Sequence, residues 1–242
     1  MTDRGRAALR TSPDALTVGP SSMRWTGDRL VITVDEIGAP PMIGRVRGVI
    51  TVHPQAISTV ELPLTEDGAH VWRPFAPISR VEVALEARGW QWQGHGYFDA
   101  NFGTRALESD FDHWTWGRFP TADGALCFYD ATRRDGSTLA QAIRFDRSGA
   151  AVSVAPPPQQ RMRRSLWAVR RETRGDAGAR PFQVMNMLDA PFYSRSAVQT
   201  VLDGKPSVGV HEALDLKRFR QPLLKPMLAC RVPRRAGWRF GD

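Results

Sequence analysis

Between Val71 and Trp116 an aromatic run (Trp72, Trp90, Trp92, Tyr97, Phe98, Phe102, Phe111, Trp114 and Trp116) is interleaved with Asp99, Asn101, Glu108, Asp110 and Asp112. Carboxyls, like histidines, carry general acid–base chemistry. Those set among rings must be paired or put to use, because burying an unpaired charge is costly. Most of the rings read as an aromatic β-core; Trp114 and Trp116, two apart, share one face of a strand. Other chemistries lack their signatures. There is no phosphate-cradling glycine loop, no nucleophile elbow and no His-Glu metal pair, and the five histidines are scattered. Cys127 and Cys230 have the spacing of neither a disulfide framework nor a metal site. On these residues neither a metal site nor a nucleotide-binding loop is expected.

The elements that must position these residues are mostly strands. Leu30–Val34, Gly48–Val52, Val81–Leu85, His113–Trp116, Leu126–Tyr129, Leu139–Phe145, Ser165–Val169, Phe182–Met187 and Ala197–Leu202 are short β-rich runs. Asp123-Gly124, Asp135-Gly136 and Asp203-Gly204 separate several of them at hairpin intervals. The spacing predicts antiparallel barrels or sandwiches with little helix. One helix is expected, over Leu214–Leu228, interrupted by Pro222 and Pro226. Pro156-Pro157-Pro158 reads as a stiff connector.

With 242 residues, 42% hydrophobic and 24% charged, the chain has the composition of a globular protein with a real core. No apolar stretch approaches the ~20 residues that span a bilayer, and the polar start offers no secretory signal, so the expected compartment is the cytoplasm. The net charge of +8 is uneven. Residues 1–160 carry a net −2, and residues 161–242 a net +10, nearly all of it arginine. A basic final third suits an anionic partner, unless it reflects only an arginine-biased, solvated surface. Nucleic acid fits poorly, since rings and basic residues lie in different parts of the chain rather than interleaved. A peripheral contact with anionic lipid is the expectation.

The block Gly94-His95-Gly96-Tyr97-Phe98-Asp99-Ala100-Asn101-Phe102-Gly103, followed by Leu107-Glu108, Phe111 and Trp114-Thr115-Trp116-Gly117-Arg118, resembles the carotenoid 1,2-hydratases, also called hydroxyneurosporene synthases. The resemblance extends through Gly19-Pro20-Ser21-Ser22, Asp35-Glu36-Ile37, Trp72-Arg73-Pro74, Phe128-Tyr129-Asp130, His211-Glu212-Ala213-Leu214-Asp215-Leu216 and Arg231-Val232-Pro233-Arg234-Arg235. It implies two lipocalin-like antiparallel β halves, taken as residues 1–103 and 104–242. It also implies a cofactor-independent hydratase acting on the terminal double bond of an acyclic carotenoid. Members of that family carry an aromatic-rich segment ahead of the position matching Met1, so the resemblance implies a chain shortened at its N-terminus.

The family's catalytic residues are a His and a Trp two apart, then a Tyr and an Asp two apart. They match His70, Trp72, Tyr97 and Asp99. Period-two spacing puts each pair on one strand face. Taken singly, the same residues could be a loop histidine, core rings and a turn-capping aspartate. In the implied chemistry Asp99 protonates the alkene, Trp72 and Tyr97 shelter the cation, and His70 orients Asp99 or the attacking water. A non-catalytic carrier of an apolar ligand, or a pericyclic cyclase or isomerase, would use the same cavity.

Overall fold

Runs rich in β-branched and aromatic residues, cut by Asp-Gly and similar turn pairs, fold as antiparallel strands with very little helix. The computed structural model describes residues 2–37, 44–86, 90–227 and 230–231. Two compact units emerge, and neither is one continuous segment. The first comprises residues 1–56, 78–98 and 225–242; the second comprises 57–77 and 99–224. This differs from a single division at 103, because the strands His70–Leu85 and Trp90–Gly103 each begin in one unit and end in the other.

In the first unit Leu9–Ser12, Ala15–Val18, Ser21–Trp25, Leu30–Ile37 and Arg45–Pro54 form a meander, each antiparallel to the next. The latter half of His70–Leu85 extends the sheet beside Arg45–Pro54.

The second unit is built on a seven-stranded antiparallel sheet. Its order is Ala151–Ser153, Thr138–Asp146, Gly124–Arg133, Phe111–Thr121, Lys205–Asp215, Tyr193–Leu202 and Phe182–Ala190. The hairpin joining Tyr193–Leu202 to Lys205–Asp215 turns on Asp203 (φ 52°) and Gly204 (φ 73°). Two successive positive φ values match the twist of the strands, which is why an Asp-Gly pair sits there. One sheet face packs Phe119, Leu126, Phe128, Ala142, Val198 and Leu202 into a core. Each fully buried large side chain there contributes on the order of 1.5–3 kcal/mol. Gly209 lies against this core: a Cβ would fall 2.2 Å from the carbonyl of Arg118 and 2.6 Å from the Phe119 ring.

Two expectations are corrected. Ser165–Val169 is a turn rather than a strand: Ala168 N–H donates to Ser165 O and Ser165 N–H to Val169 O, with Ala168 at φ 58°. The segment satisfies its backbone locally, and Leu166 at its tip is 91% exposed. The helix expected over Leu214–Leu228 is a single turn, Leu216–Phe219, followed by a 3-10 segment, Pro222–Met227. Leu214 is still in the ladder, opposite Trp114 and Tyr193, so the helix starts only after Asp215, whose carboxylate accepts the Arg218 N–H. Leu228 and the Arg234-Arg235 pair lie outside the described residues.

Candidate active site

The second face of the seven-stranded sheet gathers aromatic rings and ionisable side chains. Strand register aligns Tyr129 opposite Trp116, Trp116 opposite Glu212, and Glu212 opposite Arg195, a row across four adjacent strands. Directly opposed residues share a face, with Cβ atoms about 5 Å apart. Trp114 and Tyr193 share that face one step along, both opposite Leu214.

The strand beginning at His70 supplies two buried side chains by alternation, His70 (2% exposed) and Trp72 (1%). The Trp72 indole meets Trp116 edge-on at 6.4 Å between centroids and Tyr129 at 5.8 Å, and Tyr129 in turn lies 5.7 Å from Trp114. Its Nε1–H donates to Asp99 Oδ2 over 2.8 Å. Burial pushes the Asp99 carboxyl above its ordinary range, outweighing the opposing pull of the Trp72 N–H and the Arg195 charge. Glu212 is raised as well. Burial is again the main cause, set against the Arg195 charge and a hydrogen bond from Tyr193, with the Asp99 charge adding to burial. Arg195 Nε lies 3.2 Å from Glu212 Oε1. Burial also raises the Tyr129 hydroxyl, and the charges of Asp99 and Glu212 act in the same direction.

Of the four residues singled out from sequence, Trp72 and Asp99 are therefore joined directly. His70 is engaged elsewhere: its Nε2 lies 2.6 Å from Asp110 Oδ2, and its ring meets Phe111 at 5.3 Å. Asp110 also accepts from Arg105 Nε at 2.6 Å, and that hydrogen bond, foremost, holds its carboxyl below the usual range. The backbone comes close here. A Cβ on Gly103 would sit 2.8 Å from His70 Nδ1. Tyr97 is half-buried two residues before Asp99, in the stretch grouped with the first unit.

The remaining carboxyls are less suited to donating a proton. Burial raises Asp112, but Lys217 and Arg220, at 3.0 and 3.1 Å, more than reverse it. Asp130 is raised by burial but is paired with Arg174, and it lies on the opposite sheet face beside Phe128. Sequence reasoning missed Glu212, Arg195 and Tyr193. Glu212 lies inside the His211–Leu216 block, but what marks it is its register opposite Trp116, which no local pattern carries.

A family model described as carotenoid hydratase CrtC matches residues 1–241. The chain is 62% identical over 240 residues to a protein of Cereibacter sphaeroides named acyclic carotenoid 1,2-hydratase, covering 99% of this chain and 86% of that one. A protein of the same name from Rhodobacter capsulatus is 59% identical over 243 residues, covering 100% and 86%. Another, from Thiocapsa roseopersicina, is 44% identical over 238 residues, covering 98% and 58%. Among solved structures, an AttH from Nitrosomonas europaea superposes with a TM-score of 0.56 at 16% identity, covering 86% of this chain and 71% of that one. That likeness speaks for the fold alone, which is lipocalin-like.

Proposed function

The chain belongs to the carotenoid hydratase CrtC family, and on that premise we propose that it adds water to the terminal 1,2 double bond of acyclic carotenoids by acid catalysis from Asp99. It is a carotenoid 1,2-hydratase, a carbon–oxygen lyase. Neurosporene, lycopene and their derivatives are the substrates of this reading, and 1-hydroxy carotenoids the products.

An unactivated trisubstituted alkene is a poor base, so the first step demands a strong, positioned acid. Protonation at C2 leaves a tertiary cation at C1, which water captures. An ordinary Asp has a pKa near 3.9, and holding its proton at pH 7 needs a shift of about 3 units, or ~4 kcal/mol. Burial can supply a shift of that size. The observation that carries the reading is Asp99, raised by burial and oriented by the Trp72 indole among aromatic rings. The face of Trp72 can stabilise the cation by ~0.5–2 kcal/mol. His70, bonded to Asp110, would fix the strand that carries Trp72 rather than touch the alkene. Proton transfer and water addition involve no net redox change, so the scheme calls on no cofactor.

The substrate dissolves in lipid, and no helix among the described residues is long and apolar enough to cross a membrane. The membrane contact is assigned to the turn bearing Leu166 and Trp167 together with the edge strand Phe182–Ala190, whose Phe182, Val184, Met185, Met187 and Leu188 are all exposed. Arg161, Arg163 and Arg164 stand exposed beside the turn. Apolar side chains flanked by arginines match the chemistry of an anionic bilayer surface.

The test is product analysis in a host that accumulates lycopene or neurosporene. Hydration gives a tertiary alcohol one water heavier. A carrier would return the substrate unchanged, and a cyclase or isomerase would give a product of unchanged mass; either result overturns the reading.

A further inference from the structure

Hydration moves two protons, and the scheme above employs only one carboxyl. The alkene takes a proton, and the water that captures the cation must lose one. Glu212 is the second carboxyl on the aromatic face. Its ladder neighbours are Trp116 on one side and Arg195 on the other, and Trp116 is also a ring partner of Trp72, which holds Asp99.

The partners of the two carboxyls differ in kind. Asp99 accepts from a neutral indole N–H. Glu212 has the Arg195 guanidinium at 3.2 Å and a hydrogen bond from the Tyr193 hydroxyl. Asp99 and Glu212 are half-buried, and the Asp99 charge bears on Glu212. Such coupled carboxyls resist ionising together, so they tend to share a single proton. The one beside a guanidinium is the better anion, and the one beside a neutral donor keeps the proton.

We propose that Glu212, held by Arg195 and Tyr193, is the general base that takes the proton from the attacking water while Asp99 acts as the acid. This rests on the hydration scheme above and supplies its second half. In the first step the Asp99 O–H bond breaks and a C2–H bond forms with the π electrons, leaving C1 cationic. In the second, a water oxygen bonds to C1 and one of its O–H bonds breaks towards Glu212. The site then holds an ionised Asp99 and a protonated Glu212. Transfer of that proton from Glu212 to Asp99 restores the starting state. The balance is one alkene plus one water giving one alcohol.

A purely structural Glu212, serving only to anchor Arg195, makes a different prediction, and deuterium separates the two. The full chain is incubated with lycopene in D2O, and both the alcohol and the recovered alkene are analysed by mass. In Glu212→Gln, protonation by Asp99 persists while capture fails. Alcohol should fall by about 100-fold. The uncaptured cation reverts by losing a C2 hydrogen to the Asp99 carboxylate, and each loss of the original hydrogen rather than the delivered deuteron leaves deuterium at C2 of the recovered alkene. Asp99→Asn should yield neither alcohol nor labelled alkene. Glu212→Asp, which keeps a carboxyl opposite Arg195, should recover part of the alcohol yield and covers the case in which the Gln variant fails to fold. Near-native hydration by Glu212→Gln overturns the assignment. So does a folded Glu212→Gln that loses both alcohol and label, or a folded Glu212→Asp with no alcohol. If instead the wild type makes no alcohol, or Asp99→Asn makes it normally, the hydration scheme itself has failed.

Discussion

The Trp72 indole donates to Asp99 Oδ2 over 2.8 Å, tying together side chains 27 residues apart in sequence. One carboxyl oxygen is pinned by a neutral donor, so in the proposed hydration the other would carry the acidic proton. Trp72 is buried and Asp99 half-buried, so a donor lost here is only partly replaced by water.

Trp72→Phe keeps a ring in the aromatic wall and removes the donor. The indole bond favours the ionised carboxylate, so losing it should raise the Asp99 pKa further and move the alkaline limb of the rate–pH profile to higher pH. Misorientation of the acid should at the same time lower the rate near neutral pH by about tenfold. A rate–pH profile beside a thermal unfolding curve checks both. A limb displaced to lower pH would contradict the arrangement.

His211 links stability to pH. It is fully buried with Nε2 2.7 Å from the Glu172 carbonyl, and burial pushes its pKa down to about 4 despite that bond. A folded-state pKa below the unfolded value near 6.5 means that the unfolded chain binds the proton first. The neutral ring's contribution is therefore intact above about pH 6.5 and is lost as pH falls towards 4, by roughly 3 kcal/mol. The raised carboxyls of Asp99 and Glu212 act in the opposite sense, gaining stability as they protonate. The His211 share is therefore read as a difference between variants. Denaturant midpoints at pH 7 and pH 4.5 should lie further apart for the wild type than for His211→Gln.

The membrane contact predicts flotation with vesicles that contain anionic lipid, weakening as salt rises because the attraction is screened over about 10 Å at 0.1 M. Each arginine near such a surface contributes about 1 kcal/mol, so replacing Arg163 and Arg164 by serine should weaken binding by roughly tenfold or more. Leu166→Asp should weaken it too while leaving the thermal midpoint unchanged, since Leu166 is 91% exposed. Equal binding to neutral vesicles at high salt would show that apolar insertion governs instead.

Much of the β-architecture is legible in the sequence, because alternation and Asp-Gly turns are local signals. Leu139–Phe145 and Phe182–Met187 fall inside the strands Thr138–Asp146 and Phe182–Ala190, and the Asp203-Gly204 turn lies where the pattern puts it. Ser165–Val169 has the composition of a strand but no pairing partner, and composition alone cannot report that. The strand expected at Tyr97 and Asp99 runs from Trp90 to Gly103, a length that its glycines and polar residues hide by breaking the alternation. At the site, period two correctly leaves both His70 and Trp72 buried. The partners Asp110 and Asp99, like Glu212 opposite Trp116, depend on which strands neighbour which, and that is settled only by the fold.

The most direct measurement is hydration by Asp99→Asn. The substitution keeps the shape of the side chain and its acceptor for the Trp72 N–H, but it removes the acid. Tertiary alcohol formation from lycopene should fall by at least about 100-fold, with the thermal midpoint close to that of the wild type. A near-native yield of the alcohol from a folded Asp99→Asn protein would contradict the assignment of Asp99 as the proton donor.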